Sequence, residues 1–219
     1  MLDKQTSQRI LLDIIKLYPR KHKRRDAFYV LISTVLSQRT KDANTERASN
    51  ALFRKFPTAY ELSKAKVDEV EKLIKSAGMY RQKAKRVIQI AQEIVGRYGG
   101  RVPDTLENLV KLKGVGRKTA NIVLAVSFGI PAIAVDVHVH RIANRMGIVK
   151  TKKPEETEVA LAEILPKKYW TRLNGAMVNF GQKICAPRNP MCSVCIFREV
   201  CSYGQRNASG DSGSRDARS

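Results

Sequence analysis

Apolar residues recur every three or four positions along most of the chain, which is the spacing of one helix face. Residues 7–18 show this pattern and end at Pro19, and residues 82–98 show it again before Gly99. Proline and glycine are typical helix stops. The second stretch predicts an apolar inner face and a basic outer face made of Lys83, Lys85 and Arg86. No stretch alternates apolar and polar residues in the manner of a strand, so the sequence predicts an all-α fold.

A glycine-rich turn separates two short helical patterns near the middle of the chain. The first pattern covers residues 106–112, and the second, over 119–127, is almost wholly apolar and is expected to be buried. Between them, Gly114 and Gly116 tolerate positive φ and allow a foreign backbone to approach. Amides at the start of the second helix have no intrahelical acceptor and can hold a phosphate oxygen. Three apolar residues are expected to anchor the turn: Leu109, Leu112 and Val115. Taken alone, such a turn is most often an ordinary tight connection between helices.

The composition indicates a polyanionic partner. The 219 residues include 41 Lys and Arg against 20 Asp and Glu, a formal net charge of +21. An excess of this size favours nucleic acid, with an acidic membrane surface as the alternative. No apolar run approaches the ~20 residues that span a bilayer, and the first residues lack the pattern of a signal peptide. We therefore expect a cytoplasmic, nucleoid-associated monomer without a membrane partner.

All four cysteines lie in one short segment with the spacing C-x6-C-x2-C-x5-C. They are Cys185, Cys192, Cys195 and Cys201. Cysteines clustered in this way in a cytoplasmic protein favour metal ligation over disulfides. Zinc accepts four thiolates, and so does a [4Fe–4S] cluster. The spacing by itself leaves both open.

The turn and the segment after it resemble a known family. Residues 112–121 are similar to the helix-hairpin-helix of the endonuclease III branch of DNA glycosylases, and Val135-Asp136-Val137-His138 resembles the aspartate segment of that superfamily. The resemblance runs from about Leu31 to Cys201. It also covers the cysteine spacing, which matches the iron–sulfur loop of endonuclease III and implies a [4Fe–4S] cluster with a structural role.

The resemblance assigns the chemistry to Lys118 and Asp136. A lysine amine is a nucleophile only when neutral, a form that a helix N-terminus and burial both favour. By resemblance, Lys118 attacks C1′ of a flipped nucleotide, and Asp136 stabilises positive charge on the sugar. Taken alone, Lys118 is also compatible with a phosphate contact and Asp136 with a helix N-cap.

The resemblance also implies a set of DNA contacts. It places a DNA-probing loop at Gln38-Arg39, where the family's usual glutamine aligns with Arg39, and an apolar wedge at Met79. Base wedging by methionine is physically sensible, and an ordinary buried methionine is the alternative. The hairpin contributes the remaining predicted DNA-binding residues, Gly114, Val115, Gly116, Arg117 and Thr119.

We expect two helical lobes with a DNA groove between them. One lobe is a six-helix bundle over residues 22–131 that contains the helix-hairpin-helix. The other joins residues 1–21 to 132–203 and holds the [4Fe–4S] loop. Residues 204–219 are small and polar and are predicted to form a flexible tail.

The function implied by the resemblance is a bifunctional DNA glycosylase and AP lyase of base excision repair. It would act on double-stranded DNA that contains damaged bases or abasic sites, remove oxidised pyrimidines through a lysine Schiff base, and nick the strand by β-elimination. Alternatives are a mismatch thymine or uracil glycosylase, a guanine-lesion glycosylase, an adenine glycosylase, or a non-catalytic DNA-binding iron–sulfur module. Lys118 argues against the mismatch and adenine enzymes, whose members usually lack it.

Overall fold

The computed structural model describes residues 1–20 and 24–208, and the regular structure in these ranges is entirely helical. This confirms the all-α prediction. None of the described helices is both long enough and apolar enough to cross a membrane. The α-helices are α1 (Lys4–Leu17), α2 (Ala27–Ser37), α3 (Asp42–Lys55), α4 (Ala59–Ser63), α5 (Val67–Leu73), α6 (Tyr80–Tyr98), α7 (Leu106–Lys111), α8 (Arg117–Val123), α9 (Val137–Met146), α10 (Pro154–Ile164), α11 (Trp170–Lys183) and α12 (Ser202–Ala208). A π-helical turn, Leu124–Phe128, follows α8, and two 3₁₀ turns lie at Lys167–Tyr169 and Cys192–Val194.

The chain forms two compact units. One comprises His22–Ala132, and the other joins Met1–Lys21 to Ile133–Ser219. The predicted boundary at residues 21 and 22 lies outside the described residues. Each unit has its own hydrophobic core.

Helix α2 is the central element of the unit His22–Ala132. Asp26 caps it by accepting the Tyr29 N–H at 2.8 Å, as its position before the apolar run suggests. Leu31, Ile32 and Leu36 are fully buried. Helices α3, α6 and α8 pack around α2, so the first turn of α6 and the end of α2 meet inside this unit.

The other unit is built around α11, which packs against α1 and α9. Phe180 on α11 is buried, and its ring contacts Tyr18 at 5.0 Å and Phe197 at 5.8 Å between centroids. These ring contacts tie the chain just after α1 and the cysteine-rich segment to the same core.

The predicted flexible tail is wrong for residues 204–208, which continue helix α12 to Ala208. Gly204 is buried, and its amide donates to Cys201 Sγ at 3.4 Å. A Cβ on Gly204 would lie 2.8 Å from the Arg198 carbonyl oxygen. The glycine therefore allows the helix to pack closely on the preceding loop. The polarity of the sequence gives no indication of this contact. The remainder of the predicted tail, 209–219, lies outside the described residues.

Candidate functional site

The hairpin turn is fixed by buried apolar residues and by one contact from α6. Leu109, Leu112 and Val115 are each at most 4% exposed, which confirms that they anchor the turn. The Lys113 amide donates to Glu93 Oε2 at 3.2 Å. The backbone between α7 and α8 is therefore fixed by apolar contacts with the core and by a hydrogen bond to α6.

The two hairpin glycines serve different purposes. Gly114 has φ +83°, and a Cβ there would lie 2.6 Å from Cδ of Arg86. Gly116 is the N-cap of α8 with φ −85° and ψ 169°, and no atom beyond its two chain neighbours lies within 4 Å of its ideal Cβ position. The fold therefore requires glycine at position 114, whereas position 116 faces open space. Positive φ is used only at the first of the two glycines.

Lys118 is the second residue of α8 and is exposed. The burial that would favour its neutral form is not present in the protein without DNA. Arg117 beside it is also exposed, whereas Thr119 is only 3% exposed and packs inward. Thr119 can therefore offer DNA its backbone amide, but its side chain belongs to the core.

Asp136 is the N-cap of α9. Its Oδ1 accepts the backbone N–H groups of His138 at 2.8 Å and Val139 at 2.9 Å. The side chain is half-buried. The structure thus fixes the orientation of this carboxylate through the helix it caps. Asp136 and Lys118 belong to different units of the chain.

Gln38, Arg39 and Met79 line one cavity. Its other lining residues are Gln82, Lys83 and Arg86, and its empty volume is about 610 Å³ including space open to solvent. Arg39 and Met79 both adopt left-handed backbone conformations, with φ of 52° and 57°. Met79 is 49% exposed, so it is not an ordinary core methionine. Residues from two separate loops therefore share one surface.

Lys83 does not face outward as the sequence pattern predicts. It is only 4% exposed, and its Nζ donates to Leu36 O at 2.7 Å, Gln38 O at 2.6 Å and Thr40 Oγ1 at 2.7 Å. Burial and the neighbouring Arg86 guanidinium lower the pKa of Lys83 to about 8. The prediction of an outward-facing lysine is wrong because three oxygens at the end of α2 receive its ammonium.

The four cysteines line a second cavity, whose empty volume is about 350 Å³ including its open mouth. Burial raises the pKa of the Cys192 and Cys195 thiols, and the other cysteines add to the effect. Within the described residues, no group of three or more His, Cys, Asp or Glu side chains is placed to hold a metal ion. The cavity nevertheless brings together four soft sulfur donors, which are the ligands of zinc and iron–sulfur sites.

Two arginines of α9 brace the segment that carries the cysteines. Arg141 donates to Cys185 O at 2.8 Å. Arg145 donates to Ala186 O and Pro187 O, both at 2.7 Å, and its Nη1 lies 3.9 Å from Cys185 Sγ. Their positive charges would offset the negative charge of thiolates in the cavity. The donor set and its surroundings therefore fit an anionic metal–thiolate group.

Comparison with known proteins identifies the family. Residues 32–167 match the HhH-GPD superfamily base excision DNA repair protein family. Endonuclease III of Thermotoga maritima is 56% identical over 206 residues, which cover 94% of this chain and 97% of that protein. The chain belongs to the endonuclease III family. The resemblance seen in the hairpin and aspartate segments is thereby confirmed, and the chain is a DNA glycosylase/AP lyase of base excision repair.

Solved structures agree with this assignment. A trapped endonuclease III–DNA covalent intermediate, an estranged-adenine complex, matches with a TM-score of 0.89 at 35% identity and covers 95% of this chain and all of that one. A thermostable thymine-DNA glycosylase matches with a TM-score of 0.82 at 26% identity, covering 92% of this chain and 98% of that one. The fold of endonuclease III is thus shared with a thymine-DNA glycosylase.

In this member of the endonuclease III family, the sequence pattern did not predict that Lys83 lies beside Gln38 and Arg39. A signal was present, because Lys83, Val87 and Ile90 are spaced as one helix face, and Val87 and Ile90 are fully buried. The acceptors for its ammonium lie 43 to 47 residues earlier in the chain. The periodicity could have indicated that Lys83 faces the core, but not what it binds there.

Proposed function

We propose that this protein removes oxidised pyrimidines from double-stranded DNA and then nicks the strand, with Lys118 as the nucleophile. The observation that carries the proposal is the position of Lys118, which is exposed in the first turn of α8, directly after the open backbone of Gly116. An amine there is accessible to a nucleotide whose phosphate is held by the hairpin amides. The family membership supplies the reaction class, and the lysine supplies the group that makes a covalent intermediate.

The reaction proceeds by displacement at the sugar. The neutral Lys118 amine attacks C1′, the C1′–N bond to the base breaks, and the base leaves with the bonding electron pair and gains a proton. Ring opening gives a protonated Schiff base between Nζ and C1′. The electron-poor C1′ makes the protons on C2′ more acidic. Loss of one of these protons expels the 3′ phosphate and nicks the strand. Hydrolysis of the Schiff base returns the amine.

Asp136 supports the same displacement electrostatically. Its carboxylate is oriented by the two N–H groups of α9 that it caps. A fixed negative charge stabilises the positive charge that develops on the sugar as the base departs. One side chain therefore serves both capping and catalysis, and the cap hydrogen bonds set the orientation of the carboxylate.

DNA binding would depend on phosphate contacts made by a strongly basic chain. The net charge is +21, and the hairpin adds the first backbone amides of α8, which lack intrahelical acceptors. Affinity should therefore fall steeply as salt rises. The target nucleotide must leave the base stack before C1′ becomes accessible, and the side chains of Gln38, Arg39 and Met79 are the candidates to fill the space it leaves. We expect this activity in the cytoplasm, on the chromosome, by a monomer.

Cys185, Cys192, Cys195 and Cys201 would hold a [4Fe–4S] cluster, with one cavity lined by all four as the supporting observation. When bound, the cluster would cross-link the segment between α11 and α12. Displacement at C1′ and β-elimination transfer protons and electron pairs without a change of oxidation state, so the residues above account for the reaction.

The lesion preference is tested with matched duplexes that contain an oxidised pyrimidine, a G·T mismatch, a G·U pair or an oxidised guanine. Base release and strand nicking are measured under single turnover, with Lys118→Gln as the control. We expect the oxidised pyrimidine to be processed fastest, with base release and nicking at similar rates. Faster release from the G·T or G·U duplex would favour a mismatch glycosylase, which the thymine-DNA glycosylase fold match makes the main competitor.

A further inference from the structure

The two residues predicted to enter DNA, Arg39 and Met79, share an unusual backbone conformation. Both have φ near +50° to +60°, although neither is glycine. A side chain in this region is sterically disfavoured, so its surroundings must hold it there. The two residues lie on different loops, one after α2 and one before α6. Their loops touch, since a Cβ on Gly78 would lie 2.9 Å from the Arg39 carbonyl oxygen.

One hydroxyl joins the two loops. Thr40 Oγ1 accepts the backbone N–H of Gly78 at 3.1 Å and the Lys83 ammonium at 2.7 Å. It therefore connects the residue after Arg39 with the residue before Met79. Further polar links run from α6 to the loop after α2: they are the Lys83 bonds and a bond from Arg86 Nη1, which donates to Gln38 Oε1 at 3.5 Å.

The Lys83 ammonium fixes the end of α2 on the same side. Its remaining two donors bind Leu36 O and Gln38 O, at 2.7 Å and 2.6 Å. Carbonyl groups at a helix C-terminus lack intrahelical partners and carry partial negative charge, so a buried cation is well placed there. An ammonium has three donors, and all three are used within the segment from Leu36 to Thr40.

Two of the three Lys83 bonds go to the loop that carries Gln38 and Arg39, and the third goes to Leu36 O at the end of α2. Its helix neighbours Val87 and Ile90 pack into the hydrophobic cluster. Lys83 also lines the cavity between that loop and Met79. The polar bonds therefore connect the buried end of α2 with the surface loop that follows it.

We propose that Lys83 and Thr40 are positioning residues that hold Arg39 and Met79 at the spacing needed for both side chains to enter the duplex together. This rests on the proposed function, in which those side chains occupy the space of a flipped nucleotide. Inserting side chains between bases costs unstacking energy, and a loop that had to become ordered at the same moment would pay an additional entropic cost. Preformed loops avoid that second cost.

The test uses a duplex with an abasic site opposite 2-aminopurine, whose fluorescence reports unstacking of the opposite base. All proteins carry Lys118→Gln to prevent reaction, and saturation is verified by anisotropy. Thr40→Val removes the hydroxyl, and Thr40→Ser retains it. Lys83→Met removes the ammonium, and Lys85→Met is its control, because Lys85 is an exposed lysine on the same helix.

We expect the fluorescence change at saturation to fall at least about threefold in Thr40→Val and Lys83→Met. Thr40→Ser and Lys85→Met should keep it. A merely structural role would change the concentration needed for saturation but not the amplitude. Equal fluorescence amplitudes in Thr40→Val and Thr40→Ser would overturn the proposal. So would the absence of a fluorescence change when the protein with Lys118→Gln alone binds the duplex. If Lys83→Met does not fold, the comparison of Thr40→Val with Thr40→Ser is sufficient to test the proposal. Failure of the proposed function is seen separately, as absence of a borohydride-trapped adduct with the unsubstituted protein.

Discussion

Oδ1 of Asp136 accepts the backbone N–H of Val139 at 2.9 Å, so the proposed catalytic carboxylate is also the N-cap of α9. The two roles can be separated by substitution. Asparagine caps helices about as well as aspartate but carries no charge. A change from aspartate to asparagine therefore removes the electrostatic role and retains the structural one.

Asp136→Asn should lower the single-turnover rate of base release by about 10²-fold or more with little effect on thermal unfolding. Asp136→Ala should show the same kinetic loss and, in addition, a decrease of about 1 kcal/mol in the free energy of unfolding. Quenched-flow kinetics and denaturant titration measure the two quantities. A normal rate in a folded Asp136→Asn protein would assign Asp136 to capping alone.

The hairpin glycines should respond differently to alanine. Gly114→Ala places a side chain at φ +83° and against Arg86, so it should destabilise the fold by about 1–3 kcal/mol. Gly116→Ala has no such clash and needs no positive φ, so it should lose only the better N-cap, about 0.5–1 kcal/mol. If DNA phosphate approaches Gly116 closely, this variant should nevertheless bind duplex DNA more weakly. Full affinity in Gly116→Ala would exclude such an approach.

The cavity lined by the four cysteines predicts the metal content of the purified protein. Protein purified without oxygen should contain about four iron and four sulfide per chain, with the visible absorbance of an iron–sulfur cluster. Replacing any one of the four cysteines with serine should reduce iron content and destabilise the unit that contains the cavity. Metal analysis showing one zinc per chain would instead assign a structural zinc site.

Lys83 should make stability depend on pH in the alkaline range. Burial, together with Arg86, lowers its pKa to about 8 in the folded protein, against about 10.4 for an unfolded chain. Arg39 lines the same cavity and adds a second positive charge. Between these pKa values the unfolded chain retains a proton that the folded protein has released, so the contribution of Lys83 to the free energy of unfolding rises with pH.

The check is denaturant unfolding of the unsubstituted protein and Lys83→Met at about pH 7.5 and 9.5. Other groups titrate in both proteins, so only the difference between them reports Lys83. The unsubstituted protein should gain stability relative to Lys83→Met as pH rises. Parallel pH profiles would contradict the lowered pKa of Lys83.

The sequence was sufficient for features made of neighbouring residues. The hairpin anchors Leu109, Leu112 and Val115 lie within seven positions, and the cysteine spacing is a local pattern. Both depend on short-range geometry that composition and periodicity describe well. The family resemblance added the expected roles of Lys118 and Asp136, and the family itself is confirmed.

Features that depend on distant partners could not be predicted. The inward position of Lys83 depends on carbonyl groups at the end of α2, and the left-handed residues Arg39 and Met79 lie on two loops that Thr40 joins. Similarly, α12 continues past Gly204 because that glycine packs on Arg198. In each case tertiary contacts override the local preference of the residue.

The central claim is that Lys118 forms a covalent Schiff base with the sugar of an abasic site. It is tested most directly by borohydride trapping on abasic duplex DNA with saturating, folded protein. Lys118→Gln removes the amine, Lys118→Arg retains the charge without the nucleophile, and Lys113→Gln is the control, since Lys113 is an exposed lysine of the same hairpin. We expect a covalent adduct with the unsubstituted protein and with Lys113→Gln, and none with either Lys118 variant. Absence of an adduct with the unsubstituted protein, or an adduct that persists in Lys118→Gln, would contradict the account.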